Sequence, residues 1–157
     1  MELLIIYMNK LYPFNYQVFS SFLATSESSN DYQAYNSIAY GKYQFTIQTI
    51  NQIAMELNIV APDSSTFMNS PSLQEAFYVK YVSDILKQII SLDLTQYIGQ
   101  TINGQTITIY GLVAGAWLGG VGGLNNFLVN NVNNSDYLGT SIGDYIIKFS
   151  GYHISNV

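Results

Sequence analysis

The stretch Gln17-Val18-Phe19-Ser20-Ser21-Phe22-Leu23-Ala24, continued by Thr25-Ser26-Glu27-Ser28-Ser29-Asn30-Asp31, carries the first strong structural signal in the chain. In its first part Val18 and Phe22 fall at helical spacing, and the neighbouring apolar residues share their face, which predicts an amphipathic helix. The second part is polar and has the composition of a loop. We therefore expect Glu27 at or just past the end of an apolar helix.

The rest of the chain shows the same helical pattern, with apolar residues on one face of each segment. The breaks between segments are polar or rich in Gly, Pro and Ser, as at Pro62-Asp63-Ser64-Ser65. The predicted further helices cover Thr46 to Leu57, Pro71 to about Ile90, Ile109 to Leu118, Leu124 to Val129, and a last helix capped by Thr140/Ser141 that runs through Phe149.

Residues 98–109 differ from this pattern, because short Thr- and Ile-containing runs flank Asn103-Gly104, the preferred pair for a tight β-turn. We expect a small hairpin or an extended loop there. The helix that follows from Ile109 is rich in Gly and Ala, which would let another backbone approach it closely. Together these patterns predict a mainly α fold in which residues 1–157 form a single domain.

The charge balance excludes two classes of partner. The chain of 157 residues has a net charge of -5, no Arg, and five Lys that are spread singly. Nucleic-acid binding needs clustered basic residues, and anionic lipid attracts polybasic segments, so we expect neither partner. Polarity comes instead from Asn, Gln, Ser, Thr and 14 Tyr, which suits a carbohydrate ligand. An AT-rich genome would produce the same bias whatever the function.

Cofactors, metals and membrane spans are not expected. The chain has no Cys, and its single histidine, His153, would have to serve any Ser-His-Asp triad or His-based metal site alone. No stretch approaches about 18 uninterrupted apolar residues, so no transmembrane helix is predicted. The apolar start, Met1 to Met8, lacks a basic region and a clear cleavage site and does not resemble a conventional signal peptide.

Glu27 is the acidic residue best placed for general acid catalysis. Glycoside cleavage needs a carboxylic acid that is still protonated near neutral pH, and an apolar setting raises a carboxyl pKa. The end of an apolar helix in an aromatic-rich region offers such a setting. Glu56, Glu75 and Asp84, in contrast, are expected to be solvent-facing charges. Glu75 also has capping-box spacing from Ser72 at the start of its helix.

Several motifs, in order along the chain, resemble the soluble lytic transglycosylase and goose-type lysozyme superfamily. Glu27-Ser28 looks like its Glu-Ser catalytic motif, and Gly41-Lys42-Tyr43-Gln44-Phe45 is similar to its Gly-x-Tyr-Gln-Phe motif. Val113 to Gly120 stands where the family has Ala-Tyr-Asn-x-Gly or, in phage-like relatives, Ala-His-Leu-Gly-Gly. The ending from Gly139 resembles the same phage-like relatives, so the match covers roughly residues 17–152.

The resemblance implies a lysozyme-like domain and a role for each matching residue. Glu27 would protonate the glycosidic oxygen and then act as a base, while Tyr43 and Gln44 would contact the N-acetyl sugar. Tyr40 and Phe45 would shape the cleft, although core packing is an equal alternative for Phe45. The implied substrate-binding residues are Ser28, Tyr40, Tyr43, Gln44, Phe45 and Trp117. The sequence departs from the family at Trp117, where relatives have Tyr or His, and at Ser29-Asn30, where they often have Gly-Gly.

Two reaction types stay open. Hydrolysis with inversion needs a second carboxylate to activate water, and Asp31 is the nearby candidate, although a solvated loop charge is its ordinary interpretation. In lytic transglycosylases the muramoyl 6-hydroxyl attacks internally and leaves a 1,6-anhydro product. That route needs no second carboxylate, and the sequence favours it.

The resemblance predicts a peptidoglycan-cleaving enzyme, a lytic transglycosylase or a muramidase, that cuts the MurNAc-GlcNAc bond at the bacterial cell wall or in the periplasm. Its partners would be peptidoglycan glycan strands. Export would have to use another route, unless the sequence is that of a trimmed form. One alternative is a non-catalytic peptidoglycan- or glycan-binding module of a secretion or phage-tail assembly. Another is a chitinase-like enzyme of the same broad fold.

Overall fold

A computed structural model describes residues 10–152 together with Leu3 and Ile6. His153 and most of the segment Met1 to Met8, both discussed above, lie outside the described residues. The fold is mainly helical with two small hairpins, which confirms the expected fold class. The elements are α1 (Tyr16–Ser28), β1 (Ala39–Tyr40), β2 (Phe45–Thr46), α2 (Ile47–Glu56), α3 (Ser64–Met68), α4 (Pro71–Ser91), a 3-10 helix (Leu94–Tyr97), β3 (Thr101–Ile102), β4 (Gln105–Thr106), α5 (Ile109–Asn130) and α6 (Ile142–Ser150).

The chain divides into two compact units, and α4 contributes residues to both. The N-terminal unit comprises Tyr16–Tyr81, and the C-terminal unit combines the residues before Tyr16 with those from Val82 onward. A single lysozyme-like domain therefore stays a prediction. The Glu-Ser motif and the Gly41–Phe45 motif both belong to the N-terminal unit.

Helix α1 is longer than its apolar pattern predicts, because the polar residues Thr25–Ser28 are helical as well. Hydroxyl groups of this segment lie against the preceding turn: Thr25 Oγ1 donates to the Ser21 carbonyl at 2.7 Å, and Ser28 Oγ lies 3.3 Å from the Ala24 carbonyl oxygen. Such bonds let Ser and Thr stay inside a helix despite their preference for caps and turns. Glu27 consequently lies within the last turn of α1.

The N-terminal unit has an aromatic core. Tyr43 and Tyr78 stack with ring centroids 4.5 Å apart, and Phe45 contacts the Phe67 ring edge-on at 5.9 Å. Helix α2 buries Ile50 against this core. Other side chains buried in this unit are Phe19, Leu23, Ile53, Ala54 and Phe77.

Three elements of this unit differ from the predictions. The hairpin β1–β2, with Tyr40 opposite Phe45, was not predicted, because two-residue strands leave no alternation to detect. Helix α3 was also not predicted; Asp63 caps it by accepting from the Thr66 amide at 2.7 Å. Helix α4 begins at Pro71 as expected, but Ser70 caps it, and Glu75 makes other contacts described below.

In the C-terminal unit, α5 packs closely against α6 along a row of glycines. A Cβ at Gly111 would meet the Ser150 side chain and the Ile146 carbonyl, and one at Gly119 would meet the Ile142 side chain. The residue numbers of the glycines rise along α5 while the numbers of the α6 residues that they face fall, so the two helices run antiparallel. The close backbone approach expected for the Gly- and Ala-rich helix is therefore confirmed.

Helix α5 is interrupted at Gly120, whose φ of 72° and ψ of 164° are not helical. The predicted break in the helix is present, but the second half of α5 begins closer to the break than the sequence predicted. By length and composition alone, α5 would be long enough and apolar enough to cross a membrane, which the sequence analysis did not expect. A core helix has the same properties, and all of Ile109 to Ala116 is buried within the unit.

The remaining predictions for the C-terminal unit are confirmed in outline. Strands β3 and β4 form the expected hairpin around Asn103-Gly104, and both turn residues have positive φ, as the tight turn requires. Ser141 caps α6 in a capping box with Asp144, whose carboxylate accepts from the Ser141 amide at 2.9 Å. These hydrogen bonds hold the pKa of Asp144 below its usual range.

Candidate functional site

Ser28 links the end of α1 to the turn that carries the second motif. Its Oγ lies 2.6 Å from the Lys42 carbonyl oxygen, to which it can donate, and accepts from the Asp31 amide at 3.0 Å. The Glu-Ser motif and the Gly41–Phe45 motif are therefore held side by side. Glu27, the residue before Ser28, is half-buried in the same helical turn.

The chain leaves α1 through two residues in the left-handed region, Ser29 with a φ of 56° and Asn30 with a φ of 67°. Their amides donate to the Thr25 and Ala24 carbonyls and close the helix. Glycine adopts this conformation without the steric cost of a Cβ. The Gly-Gly that the resemblance leads one to expect at these positions would suit the same backbone, so Ser29-Asn30 changes the side chains and leaves this geometry intact.

The turn between β1 and β2 is fixed by Gly41 and Gln44. Gly41 has a φ of 81°, and a Cβ there would overlap the side-chain amide of Gln74. Gln44 is also left-handed, with a φ of 54°. Its Nε2 donates to the Gly41 carbonyl at 2.9 Å and to the Ala34 carbonyl at 3.2 Å. The Gln44 amide nitrogen thus holds the turn, which differs from the sugar contact implied by the resemblance.

Gln74, near the start of α4, secures the same turn from the other side. Its side chain is buried, and its Oε1 accepts from the Lys42 amide at 2.8 Å. Its Nε2 donates to the Tyr32 carbonyl at 3.1 Å and to the Phe67 carbonyl at 3.0 Å. A buried amide with its polar atoms paired in this way stabilises one arrangement of the surrounding backbone.

The next residue, Glu75, is the centre of a polar cluster that the sequence analysis did not identify. Its Oε1 accepts from Lys42 Nζ at 2.6 Å and from the Tyr32 hydroxyl at 2.7 Å, while its Oε2 accepts from the Tyr43 hydroxyl at 2.7 Å. The Tyr43 oxygen lies 2.6 Å from Ser20 Oγ. These five residues, Ser20, Tyr32, Lys42, Tyr43 and Glu75, are called the Glu75 cluster below.

The charges of the Glu75 cluster stabilise one another. Burial favours the neutral acid at Glu75, but the hydrogen bonds from Lys42, Tyr43 and Tyr32 outweigh it, and its pKa lies below the usual range. Burial alone would lower the pKa of Lys42, yet its hydrogen bonds to Glu75 and Tyr43 raise it. Burial and the bond to Glu75 raise the pKa of Tyr43 to about 12. The pair is therefore ionised, and the tyrosines are neutral, at physiological pH.

Three sequence-based expectations need correction. Tyr43 is fully buried and Phe45 is 2% exposed, so neither side chain can contact a sugar directly in this conformation. Phe45 belongs to the core, the alternative that the sequence left open. Glu75 is not a solvent-facing charge, since it pairs with a Lys42 side chain that is only 13% exposed. The polar contacts of Glu75 come from residues 32 to 43 positions away, so they leave no local signal in the sequence around it.

An aromatic platform that the sequence analysis missed lies beside the turn. Tyr40 is half-buried and stacks on Tyr35 with ring centroids 5.1 Å apart and an interplanar angle of 23°. Tyr35 is 58% exposed. The Asn36 side chain accepts from the amides of Ile38 and Ala39 and fixes the intervening loop. The platform therefore presents an ordered aromatic ring to solvent.

Asp31 and Trp117 are the two remaining candidate residues. Asp31 is exposed, and its Oδ1 accepts from the Gln33 amide at 2.8 Å, which is a contact within the turn. Trp117 is half-buried on α5, within the C-terminal unit. Among residues 10–152, Leu3 and Ile6, no three His, Cys, Asp or Glu side chains are grouped closely enough to hold a metal ion.

The chain was compared with protein-family models, with curated proteins and with solved structures, and none of the three comparisons found a match.

Proposed function

We propose that this protein cleaves peptidoglycan glycan strands, as a lytic transglycosylase or a muramidase, with Glu27 as the general acid. The observation that carries the proposal is the Ser28–Lys42 hydrogen bond of 2.6 Å. The two motifs are 13 residues apart along the chain from Ser28 to Gly41, yet this bond makes them neighbours in space. A catalytic constellation requires such proximity, so the bond supports the proposal.

The setting of Glu27 suits the chemistry. It is half-buried in the last turn of an apolar helix, so water is partly excluded from it while it keeps some exposure to a ligand. Glu27 would donate its proton to the glycosidic oxygen as the bond breaks and take a proton from the attacking hydroxyl. In the transglycosylase route that hydroxyl belongs to the muramoyl residue itself.

The surface around the turn suits an uncharged, polar ligand. Aromatic rings stack on the apolar faces of sugar rings, and Tyr35 and Tyr40 offer such a surface without charge. The net charge of -5 disfavours nucleic acid, the other common ligand of exposed aromatic rings. The proposed contacts to sugar are therefore assigned to Tyr35 and Tyr40, and not to the buried Tyr43 and Phe45.

The test is release of soluble products from purified cell walls, followed by mass analysis of the products. Cleavage of walls by the wild type, and its loss in Glu27→Gln, is the expected result. A protein that sediments with walls and releases nothing would instead be the non-catalytic binding module. Release of products from chitin but not from peptidoglycan would identify the chitinase-like alternative.

A further inference from the structure

We propose that Glu75 is a positioning residue for Glu27, acting through Lys42 and Ser28. This inference rests on the proposed function for its catalytic consequence, although its mechanical part can be tested without activity. Glu75 lies 48 residues from Glu27 along the chain, on a different helix. Nothing in the sequence pattern of α4 distinguishes it from an ordinary surface charge, so its role follows from the contacts alone.

The contacts form a continuous path from α4 to the end of α1. Glu75 Oε1 accepts from Lys42 Nζ at 2.6 Å, and Oε1 of the neighbouring Gln74 accepts from the Lys42 backbone amide at 2.8 Å. The third polar group of Lys42, its carbonyl oxygen, lies 2.6 Å from the Ser28 hydroxyl. All three polar groups of Lys42 are therefore fixed, and the last of them bonds to the residue that follows Glu27.

A second branch of the path reaches α1 further back. Glu75 Oε2 accepts from the Tyr43 hydroxyl, so the 2.6 Å contact between Tyr43 and Ser20 is donated by Ser20. Ser20 and Ser28 are eight residues apart, which is about 12 Å along a helix. Two attachment points at that separation define both the axial position of α1 and the direction in which its last turn points.

Packing alone does not account for this arrangement. Tyr43 already stacks on Tyr78 in a fully buried setting, and an apolar residue at position 75 would leave that stacking in place. A half-buried ion pair repays its desolvation only when its geometry is good and further hydrogen bonds are made. Glu75 fulfils both conditions, since it accepts three hydrogen bonds.

The mechanical part is tested by amide hydrogen exchange in Glu75→Gln, with Glu56→Gln as the matched control. Glu56 also pairs with a lysine, Lys80, at 3.7 Å in the same unit, but outside the path. We expect exchange of the amides of Ser28, Ser29 and Asn30 to become about tenfold faster in Glu75→Gln and to stay unchanged in Glu56→Gln. Unchanged exchange at these amides in Glu75→Gln would overturn the proposal whether or not the protein is an enzyme.

The catalytic part is tested with soluble, uncross-linked glycan strands. We expect Glu75→Gln to lower kcat on the order of 10- to 100-fold, because a small misplacement of the acid is costly, while KM changes less than about twofold. Lys42→Met should reproduce both effects and Lys42→Arg, which keeps the charge, should largely restore kcat. A wild-type kcat in Glu75→Gln would overturn this part, and a parallel rise in KM would indicate general loosening of the fold instead.

The design separates the two proposals. If the wild type cleaves nothing, the proposed function fails, and the exchange experiment still decides whether Glu75 orders the end of α1. If Glu75→Gln does not fold, Lys42→Met removes the same ion pair from the other side, keeps the aliphatic stem, and is measured in its place. Faster exchange limited to residues 28–30 supports the proposal in either variant, whereas faster exchange throughout the N-terminal unit contradicts it.

Discussion

The Ser28 hydroxyl lies 2.6 Å from the Lys42 carbonyl oxygen and spans from the last residue of α1 to the turn of the β1–β2 hairpin. The same hydroxyl accepts from the Asp31 amide, so it orders both the helix end and the loop that follows. Under the proposed function, Ser28 would act through geometry, because it fixes the distance between the proposed general acid, Glu27, and the turn. The Ser in the Glu-Ser motif thus has a physical reason to follow Glu27 directly.

Glu27→Gln should reduce turnover of cell walls on the order of 100-fold or more, because the amide keeps the size of the side chain but cannot donate the proton. The melting temperature should hardly change, since Glu27 is half-buried at a helix end and is not part of the core. Turbidity clearance and calorimetry on the same preparations check both statements. Clearance at the wild-type rate by Glu27→Gln would end the enzymatic hypothesis.

Ser28→Ala should destabilise the protein by about 1–2 kcal/mol, because the Lys42 carbonyl and the Asp31 amide would each lose a partner. For a protein of this size we expect the melting temperature to fall by roughly 2–8 °C. Ser21→Ala is the matched control, since Ser21 is exposed on the same helix and its hydroxyl donates to the Gln17 carbonyl in the preceding turn at 3.2 Å. Equal melting temperatures for the two variants would show that the Ser28 contacts contribute nothing measurable.

Structural features that depend on neighbouring residues along the chain could be predicted from the sequence. Features that depend on contacts between residues far apart in the chain could not. Apolar spacing predicted α1, α2, α4 and α6, and Asn103-Gly104 predicted the β3–β4 hairpin, because these signals lie within a few residues of each other. The role of Glu75 could not be predicted in this way, since Lys42 and Tyr43 precede it by 33 and 32 residues. Gln44 shows the same limit, because its positive φ turns its side chain back onto the backbone.

The aromatic residues illustrate the limit within a single motif. Tyr40, Tyr43 and Phe45 lie in or beside the same turn. The resemblance implied a sugar contact for Tyr43 and a place in the cleft for Tyr40 and Phe45, with core packing as an equal alternative for Phe45. Strand pairing places Tyr40 opposite Phe45. Even so, Tyr43 and Phe45 are buried, whereas Tyr40 stacks on the exposed Tyr35. Which ring faces solvent depends on the left-handed residues Gly41 and Gln44, whose conformations change the direction of the chain between them.

Tyr35→Ala should weaken binding to soluble glycan strands about tenfold, because it removes the exposed ring of the platform. Folding should be unaffected, since the ring is largely exposed. Tyr137→Ala is the matched control, because Tyr137 is 62% exposed and belongs to the other unit. Affinities can be measured by calorimetry in the Glu27→Gln background, where the ligand is not consumed. Equal affinities for the two variants would remove Tyr35 from the proposed glycan surface.

The stabilising effect of Glu75 should depend on pH. Its pKa in the folded protein is lowered despite burial, through the bonds from Lys42, Tyr43 and Tyr32, while the unfolded value is about 4.3. A group with a depressed folded pKa contributes stability above its unfolded pKa and loses it as the pH falls through the folded one. Wild type should therefore melt higher than Glu75→Gln near pH 7, and the two should converge as the pH falls below about 4. A difference that stays constant down to pH 2 would contradict this account.

The reaction type can be decided from the products and from Asp31. Asp31 Oδ1 accepts from the Gln33 amide, and Asn keeps that acceptor, so Asp31→Asn removes the charge with little change to the turn. If the muramoyl 6-hydroxyl attacks internally, the products carry 1,6-anhydro ends, lighter by one water than hydrolysis products, and Asp31→Asn should retain most of the activity. If water attacks, the products have reducing ends, and loss of an activating base should lower turnover on the order of 100-fold.

We expect 1,6-anhydro products, because Asp31 is exposed and its carboxylate already accepts a hydrogen bond within the loop that follows α1. Reducing-end products together with an inactive Asp31→Asn variant would reverse that expectation and leave Glu27 as the acid.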